Sequence, residues 1–239
     1  MSVAVSAVAS GQVVNRLIEG LPRAARNRIL KLTEPVNLTF GTVLCEANQR
    51  LQHVYFPLTG FISLVANVNR HPPLEIGLIG NEGMLGATLA LGVKGARLRG
   101  IVQGAGTALR MTAGQFRLEL RSSYSLRRTI DHYLFVLLAQ QSRTIACTRF
   151  HEINSRLARC LLMTHDRAHS DHFHLTHQYL ADMLGVQRSA VTNAAGVLQK
   201  NKVISYTRGE ILILDRRGLE SASCECYRAV IEDHQRLFA

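Results

Sequence analysis

The hydrophobic period of this 239-residue chain changes near Ser122, and that change limits the possible folds more than any other feature. Before it, Val54–Pro57, Phe61–Val65, Leu74–Ile79 and Arg99–Gly104 are short apolar or alternating runs. Gly, Pro and Asn separate them at intervals of roughly ten residues, which predicts a small β-barrel or sandwich. Ahead of them Val13–Leu32 is amphipathic through Leu17, Ile18, Leu21, Ile29 and Leu30, and predicts short helices broken at Pro22. After Ser122 the residues Leu126, Ile130, Tyr133, Leu137, Gln140 and Thr144 recur in steps of four and three, the seam of a long helix. Leu134, Phe135, Val136 and Leu138 cover its other faces, so the helix is expected to be buried nearly all round. One partner is the β-rich front. The other is either a second copy of the helix across a two-fold axis or the core of a monomer. A further helix is expected over Phe150–Arg167, with Glu152 placed to pair with Arg156.

The chain thus reads as an α+β protein in four parts: a frayed tail over 1–11, a β-rich domain over 12–120, the long helix over 121–149 and a helical domain over 150–239. The opening MSVAVSAVAS has neither the basic start nor the Leu-rich stretch of a signal peptide. No charge-free apolar run reaches the roughly 18 residues that a membrane span needs. The five cysteines, Cys45, Cys147, Cys160, Cys224 and Cys226, are odd in number and scattered, which points to a reducing cytoplasm rather than a disulfide framework.

Residues 177–196, HQYLADMLGVQRSAVTNAAG, carry the functional signal. Leu180, Ala181, Leu184, Val186, Val191 and Ala194 have the spacing of two helices crossed steeply through a tight turn. Ala181 is small enough for the crossing, and Gly185 can take the positive φ of the turn. Gln187, Arg188, Ser189, Thr192 and Asn193 then share the outer face of the second helix, where they can donate to base edges and phosphates. Val203–Tyr206 and Ile211–Leu214 flank a turn containing Gly209 and predict a hairpin, a wing with Arg208 at its tip. Thr176, ahead of the first helix, completes the candidate DNA contacts. With 28 Lys and Arg against 17 Asp and Glu, the net charge of +11 favours a polyanionic partner. Double-stranded DNA is the expected one, with no membrane association.

These residues resemble the Crp/Fnr superfamily of bacterial transcription regulators. The resemblance is strongest over NSRLARCLLMTHDR (154–167) and residues 175–227, and extends more weakly through VYFPLTGFISLV and GNEGMLG. It implies a jelly-roll-like, cyclic-nucleotide-binding-like β-roll as the effector domain, a long dimerisation helix and a C-terminal winged helix–turn–helix. It also implies a homodimer on a roughly palindromic site, with RNA polymerase as a further partner. Arg188 matches the family's base-contacting arginine. Ser189 stands where the family often has Glu, and Asn193 where a second Arg is frequent, so the reading mode carries over but the preferred sequence does not.

The resemblance also locates an effector pocket. Family members that bind cyclic AMP hold the ribose with a Gly-Glu pair and the phosphate with an Arg-Ser/Thr-Ala segment. Here Ala87 follows Gly86 at the Glu position, and Ala96-Arg97-Leu98-Arg99 lacks the second motif. Gly83, Gly86, Ala87, Arg97 and Arg99 mark the pocket position, with strand corners or solvated charges as the competing reading. The effector is expected to be something other than cyclic AMP, or absent. Cys45 is the one cysteine before residue 147, which excludes a family-type iron–sulfur cluster, and no cofactor is expected.

Cys224 and Cys226 are expected as solvent-side thiols on a surface helix. His165, His169, His172, His174 and His177, with Asp166 and Asp171, are expected as a polar connection rather than a metal site. No Walker loop, nucleophile elbow or paired-His zinc helix occurs, so no enzyme is expected. The competing reading is a ligand-binding or protein-interaction module whose helix–turn–helix is structural only.

Overall fold

A computed structural model describes residues 14–238; the tail expected over residues 1–11 lies outside the described residues. Two short helices, α1 (Arg16–Glu19) and α2 (Arg23–Leu32), are separated at Pro22, which has no N–H to continue a helix. Asn15 fixes α1 in place. Its Oδ1 accepts from the N–H groups of Leu17 and Ile18, and its amide donates to the carbonyls of Pro57 and Gly83.

Strands β1 (Glu34–Leu38), β2 (Val43–Cys45), β3 (His53–Ala66), β4 (Leu74–Ile79) and β5 (Arg99–Thr112) form an antiparallel sheet. Their order is β1-β5-β3-β4, and β2 also pairs with β5. Val54–Pro57 and Phe61–Val65, expected as separate strands, are one strand, and β5 runs on past Gly104. Gly60 at φ +70° permits this. The register against β5 shifts around it, and a Cβ there would lie 2.3 Å from the Gly104 carbonyl oxygen. Bulges of this kind bend paired strands, so the sheet rolls instead of ending in a turn. A 3-10 turn, Ala87–Leu91, and helix α3 (Ala113–Ser122) complete this half.

Helix α4 (Tyr124–Phe150) follows, then α5 (Ile153–Ala168), β6 (His172–His174), α6 (His177–Leu184), α7 (Arg188–Lys200), β7 (Ile204–Thr207), β8 (Glu210–Ile213), α8 (Arg216–Ala222) and α9 (Cys226–Phe238). The three late strands pair in the order β6-β8-β7. The α+β class with a β-roll, a long central helix and a C-terminal winged helix–turn–helix is as expected. No helix among the described residues is long and apolar enough to cross a membrane.

The front core gathers Leu17, Ile29, Phe56, Met84 and Phe116 with Leu126, Ile130 and Tyr133 of α4. The back core gathers Leu157, Leu161, Leu180, Val191, Leu198, Ile211 and Leu219, and takes in Phe61 and Leu78 from the sheet. The two halves therefore share buried surface.

Three expectations need correction. First, the proposed pairing seam is largely internal. Leu126, Ile130, Tyr133 and Gln140 are buried by this chain's own residues, and Leu137 and Thr144 are half-buried. The same spacing serves any helix with one buried stripe, and here the β-roll occupies that stripe. The large apolar residues left outward along the middle of α4 are Phe135, Leu138 and Ile145, at 58%, 63% and 68% exposure, and Tyr124 and Phe150 at its two ends are exposed as well. Second, Cys224 and Cys226 are buried, because α9 folds back along α4. Third, Arg156 turns away from Glu152 and donates to the carbonyl of Leu184, tying α5 to the end of α6.

Polar contacts complete the joint between the halves. Arg167 of α5, itself buried, pairs with Glu82 of the loop after β4 at 2.7 Å. Glu75 of β4 accepts from the Ser63 hydroxyl at 2.5 Å. Burial pushes the Glu75 carboxyl up to about 7, against the opposing pull of the Ser63 hydrogen bond and of Arg167 and Arg159. A carboxyl raised in the folded state stabilises below its unfolded pKa of about 4.5, and that contribution is lost as pH rises through about 7. Glu75→Gln should match the parent at pH 4 and exceed it at pH 8 by about 1–3 kcal/mol in urea unfolding. A constant difference between the two pH values would contradict this.

Candidate nucleic-acid interface

The segment 176–208 folds as two crossed helices and a hairpin. Thr176 caps α6, its hydroxyl oxygen accepting from the N–H of Tyr179 at 3.1 Å. Helix α6 ends at Gly185, which adopts φ +63°, and the Val186 N–H returns to the Ala181 carbonyl at 3.0 Å. A left-handed residue here closes the turn, and the small Ala181, 1% exposed, lets the helices cross closely. Val191, Ala194, Ala195 and Leu198 of α7 face the core.

The opposite face of α7 is what the core leaves over. Gln187, Arg188, Ser189, Thr192 and Asn193 are all exposed, as the pattern predicts. Gln187 provides no side-chain cap, so the first N–H groups of α7 are left for an external acceptor. Between Val186 and Arg208 the chain has no Asp or Glu but carries Arg188, Lys200, Lys202 and Arg208. This segment therefore carries a net positive charge. Arg208 is exposed at the tip of the hairpin, where it and Gly209 both have positive φ, +50° and +92°. That is the backbone of a type I′ turn, whose twist suits a two-residue hairpin loop.

One residue of the histidine-rich stretch has a role that the pattern did not reveal. His177, the first residue of α6, stacks on Tyr206 of β7 with ring centroids 4.0 Å apart. Its Nδ1 lies 3.0 Å from the Thr192 hydroxyl, and its backbone N–H donates to the Tyr206 hydroxyl at 3.2 Å. Burial, and then the charge of Arg188, lower its pKa, so the ring is neutral at pH 7. His177 thus joins α6, α7 and the wing, and engages one of the expected DNA-contacting side chains. No spacing rule points to it, since the stack forms between residues far apart in sequence.

The other histidines are dispersed. His165 donates from Nε2 to Asp171 at 2.6 Å and accepts from Arg216, while His172 and His174 pair with Glu210 at 2.9 and 2.7 Å. What was expected as a loose polar connection contains strand β6, and the His pairs brace it against β8.

The expected effector residues are only partly assembled. Gly86, Ala87 and Arg97 border a cavity of about 100 Å³. Arg97 reaches Asn48 and Arg99 pairs with Glu46. Gly83 serves close packing: a Cβ there would lie 2.2 Å from the Tyr133 hydroxyl oxygen. Small-molecule sites usually offer about 300–1,000 Å³. A cavity of about 430 Å³ lies elsewhere, bordered by Glu82, Tyr133, Arg167, Arg216 and His234.

A family model for the Crp-like helix–turn–helix domain matches residues 155–222. No curated protein matches the chain by sequence. Among solved structures, the fold is similar to that of a Crp/Fnr-family regulator from Eubacterium rectale, at 15% identity and a TM-score of 0.66 over 86% of this chain and 96% of that one. It is also similar to the c-di-GMP-responsive global regulator CLP of Xanthomonas campestris, at 14% identity and 0.65 over 80% and 99%. A CRP/FNR-family regulator of Thermus thermophilus matches at 21% identity and 0.65 over 80% and 98%. At these identities the structural likeness speaks for the fold.

The turn supplies a direct test of how the exposed face is presented. Gly185→Ala places a Cβ on a left-handed residue and 3.1 Å from Leu74 Cδ1. It should cost about 1–2 kcal/mol of stability, read as a lowered urea midpoint. An unchanged midpoint would mean that the turn is not under this constraint.

Proposed function

Given a Crp/Fnr fold that bears a Crp-like helix–turn–helix over residues 155–222, we propose that this protein is a sequence-specific DNA-binding transcription regulator, not an enzyme. It acts as a homodimer on a roughly palindromic site. The observation that carries the reading is the sidedness of α7: Val191, Ala194 and Leu198 are buried, while Gln187, Arg188, Ser189 and Asn193 are exposed on a segment that carries basic residues and no Asp or Glu. The N-terminal half of α7 enters the major groove, where Arg188 donates to a guanine edge and Asn193 and Gln187 read neighbouring bases. Arg208 and Thr176 contact phosphates and fix the register.

Two copies pair through the outer stripe of α4. Phe135, Leu138, Ser142 and Ile145 follow the three-and-four spacing of a helix pairing surface and are exposed in the single chain. Pairing covers apolar surface that otherwise faces water, and sets two recognition helices about one DNA turn apart. RNA polymerase is the further partner that such a regulator addresses. A small effector would act by binding two arrangements of the halves unequally. The cavity of about 430 Å³ offers more room for it than the family position near Ala87.

Arg188→Ala should weaken cognate-site binding by about 1–3 kcal/mol and relax discrimination at one base pair, measured on sites selected from random duplex DNA. Affinity for those sites should fall steeply with salt. A footprint that is unchanged by the substitution would overturn the assignment of α7. Leu138→Glu should yield monomers in sedimentation velocity, because two carboxylates cannot share an apolar seam. A variant that remains dimeric would place the interface elsewhere.

A further inference from the structure

Four donors that the sequence scatters over nearly eighty residues meet where α4 ends. Cys147 and His151 are one helical turn apart at the end of α4, and so share a face. Cys224 and Cys226 flank Glu225 at the junction of α8 and α9. Their four donor atoms lie within 4.8 Å of one another. The three cysteines are buried and form a small cluster apart from the aliphatic cores.

We propose that Cys147, His151, Cys224 and Cys226 bind a single divalent cation of the zinc class, which clamps the end of α4 to the α8–α9 junction. The inference does not depend on DNA binding.

The spacing suits one ion. Zn–S bonds of about 2.3 Å and Zn–N bonds of about 2.0 Å set tetrahedral ligand atoms about 3.5–3.8 Å apart. Cys147 Sγ and Cys224 Sγ are 3.5 Å apart, and Cys226 Sγ and His151 Nδ1 are 3.7 Å apart. A binuclear iron–sulfur cluster divides its ligands between two irons and spreads them more widely. Three thiolates and one imidazole make up a donor set typical of closed, structural zinc sites, and their softness selects against magnesium or calcium.

The surroundings are also those of a metal site. His151 Nε2 lies 3.1 Å from the Glu225 carboxylate. That pairing keeps the ring proton on Nε2 and turns the Nδ1 lone pair toward the sulfurs, the carboxylate–histidine arrangement that orients metal-bound imidazoles. Arg156 and Arg159 border the same pocket as Cys147 and offset the negative charge of a trithiolate site. Because His151 is the residue on which α4 ends before the chain turns into α5, the bound cation would stiffen that corner.

The test uses the untagged 239-residue chain, kept reduced. Native mass spectrometry should find one zinc per chain, and Co(II) exchanged for it should give the intense visible bands of a tetrahedral thiolate site. Cys226→Ser and His151→Asn should each lose stoichiometric zinc and alter the Co(II) spectrum, while Cys45→Ser retains both. Glu225→Gln, which leaves all four ligands in place, should weaken zinc binding about 10–100-fold. The His151 side chain is partly exposed, at 23%, so its replacement tests the site without emptying a core position, and circular dichroism checks that the fold is kept. Failure of the reduced parent chain to take up zinc or Co(II) stoichiometrically would overturn the proposal. So would an unaltered Co(II) spectrum in Cys226→Ser and His151→Asn.

Discussion

The burial of one face of α4 by the chain's own β-roll is the contact on which the rest of the structure depends. Tyr133 is its centre: the ring rests against Gly83, where no side chain could fit, and the hydroxyl donates to the Met84 carbonyl at 3.2 Å. Leu126, Ile130 and Val136 extend the contact along the helix. Each such side chain is worth about 1.5–3 kcal/mol on burial, which is enough to hold the helix to the sheet without a partner chain. Helix α4 runs unbroken to Phe150, so no loop interrupts it between the turn holding Gly83 and Met84 and the corner before α5. The outer stripe, with Phe135, Leu138 and Ile145, is left exposed.

The corner after α4 is built differently. Helix α5 presents buried arginines to its neighbours. Arg156 donates to the Leu184 carbonyl at the end of α6, Arg159 to the Thr144 hydroxyl on α4, and Arg167 to Glu82 beside the β-roll turn. A buried guanidinium without a partner is costly, so each contact fixes one direction in which α5 can sit. Apolar surfaces slide, whereas these polar pairs specify register. The result is a joint that addresses the β-roll, the central helix and the helix–turn–helix at once. Asp166, Arg216 and Tyr227 extend it to α8 and α9.

Different kinds of signal were legible to different degrees. The α6–α7 crossing could be read because local rules act there: Ala181 must be small, Gly185 must take positive φ, and an outer polar face remains once Val191 and Ala194 turn inward. The wing was legible for a similar reason, since Arg208 and Gly209 sit between two β-branched runs. The extent of β3 was not, because a glycine between apolar runs signals a turn and a bulge equally well. Periodicity also misassigned α4. A stripe such as Leu126–Ile130–Tyr133 states that something covers it, and only packing states what. His177 against Tyr206 and the convergence of Cys147 with Cys224 were invisible because they join distant segments.

The sequence alone therefore determined the class of the fold, the presence of a helix–turn–helix and the residues on its outward face, all of which follow from local backbone preferences and period. The tertiary structure decided which face of α4 meets the β-roll and which remains free. It also decided that the thiols of Cys224 and Cys226 turn inward toward Cys147 and His151, and that the cavity beside Ala87 offers little room. These outcomes depend on which surfaces meet across long stretches of chain, and a linear pattern records the need for burial without naming the partner that provides it.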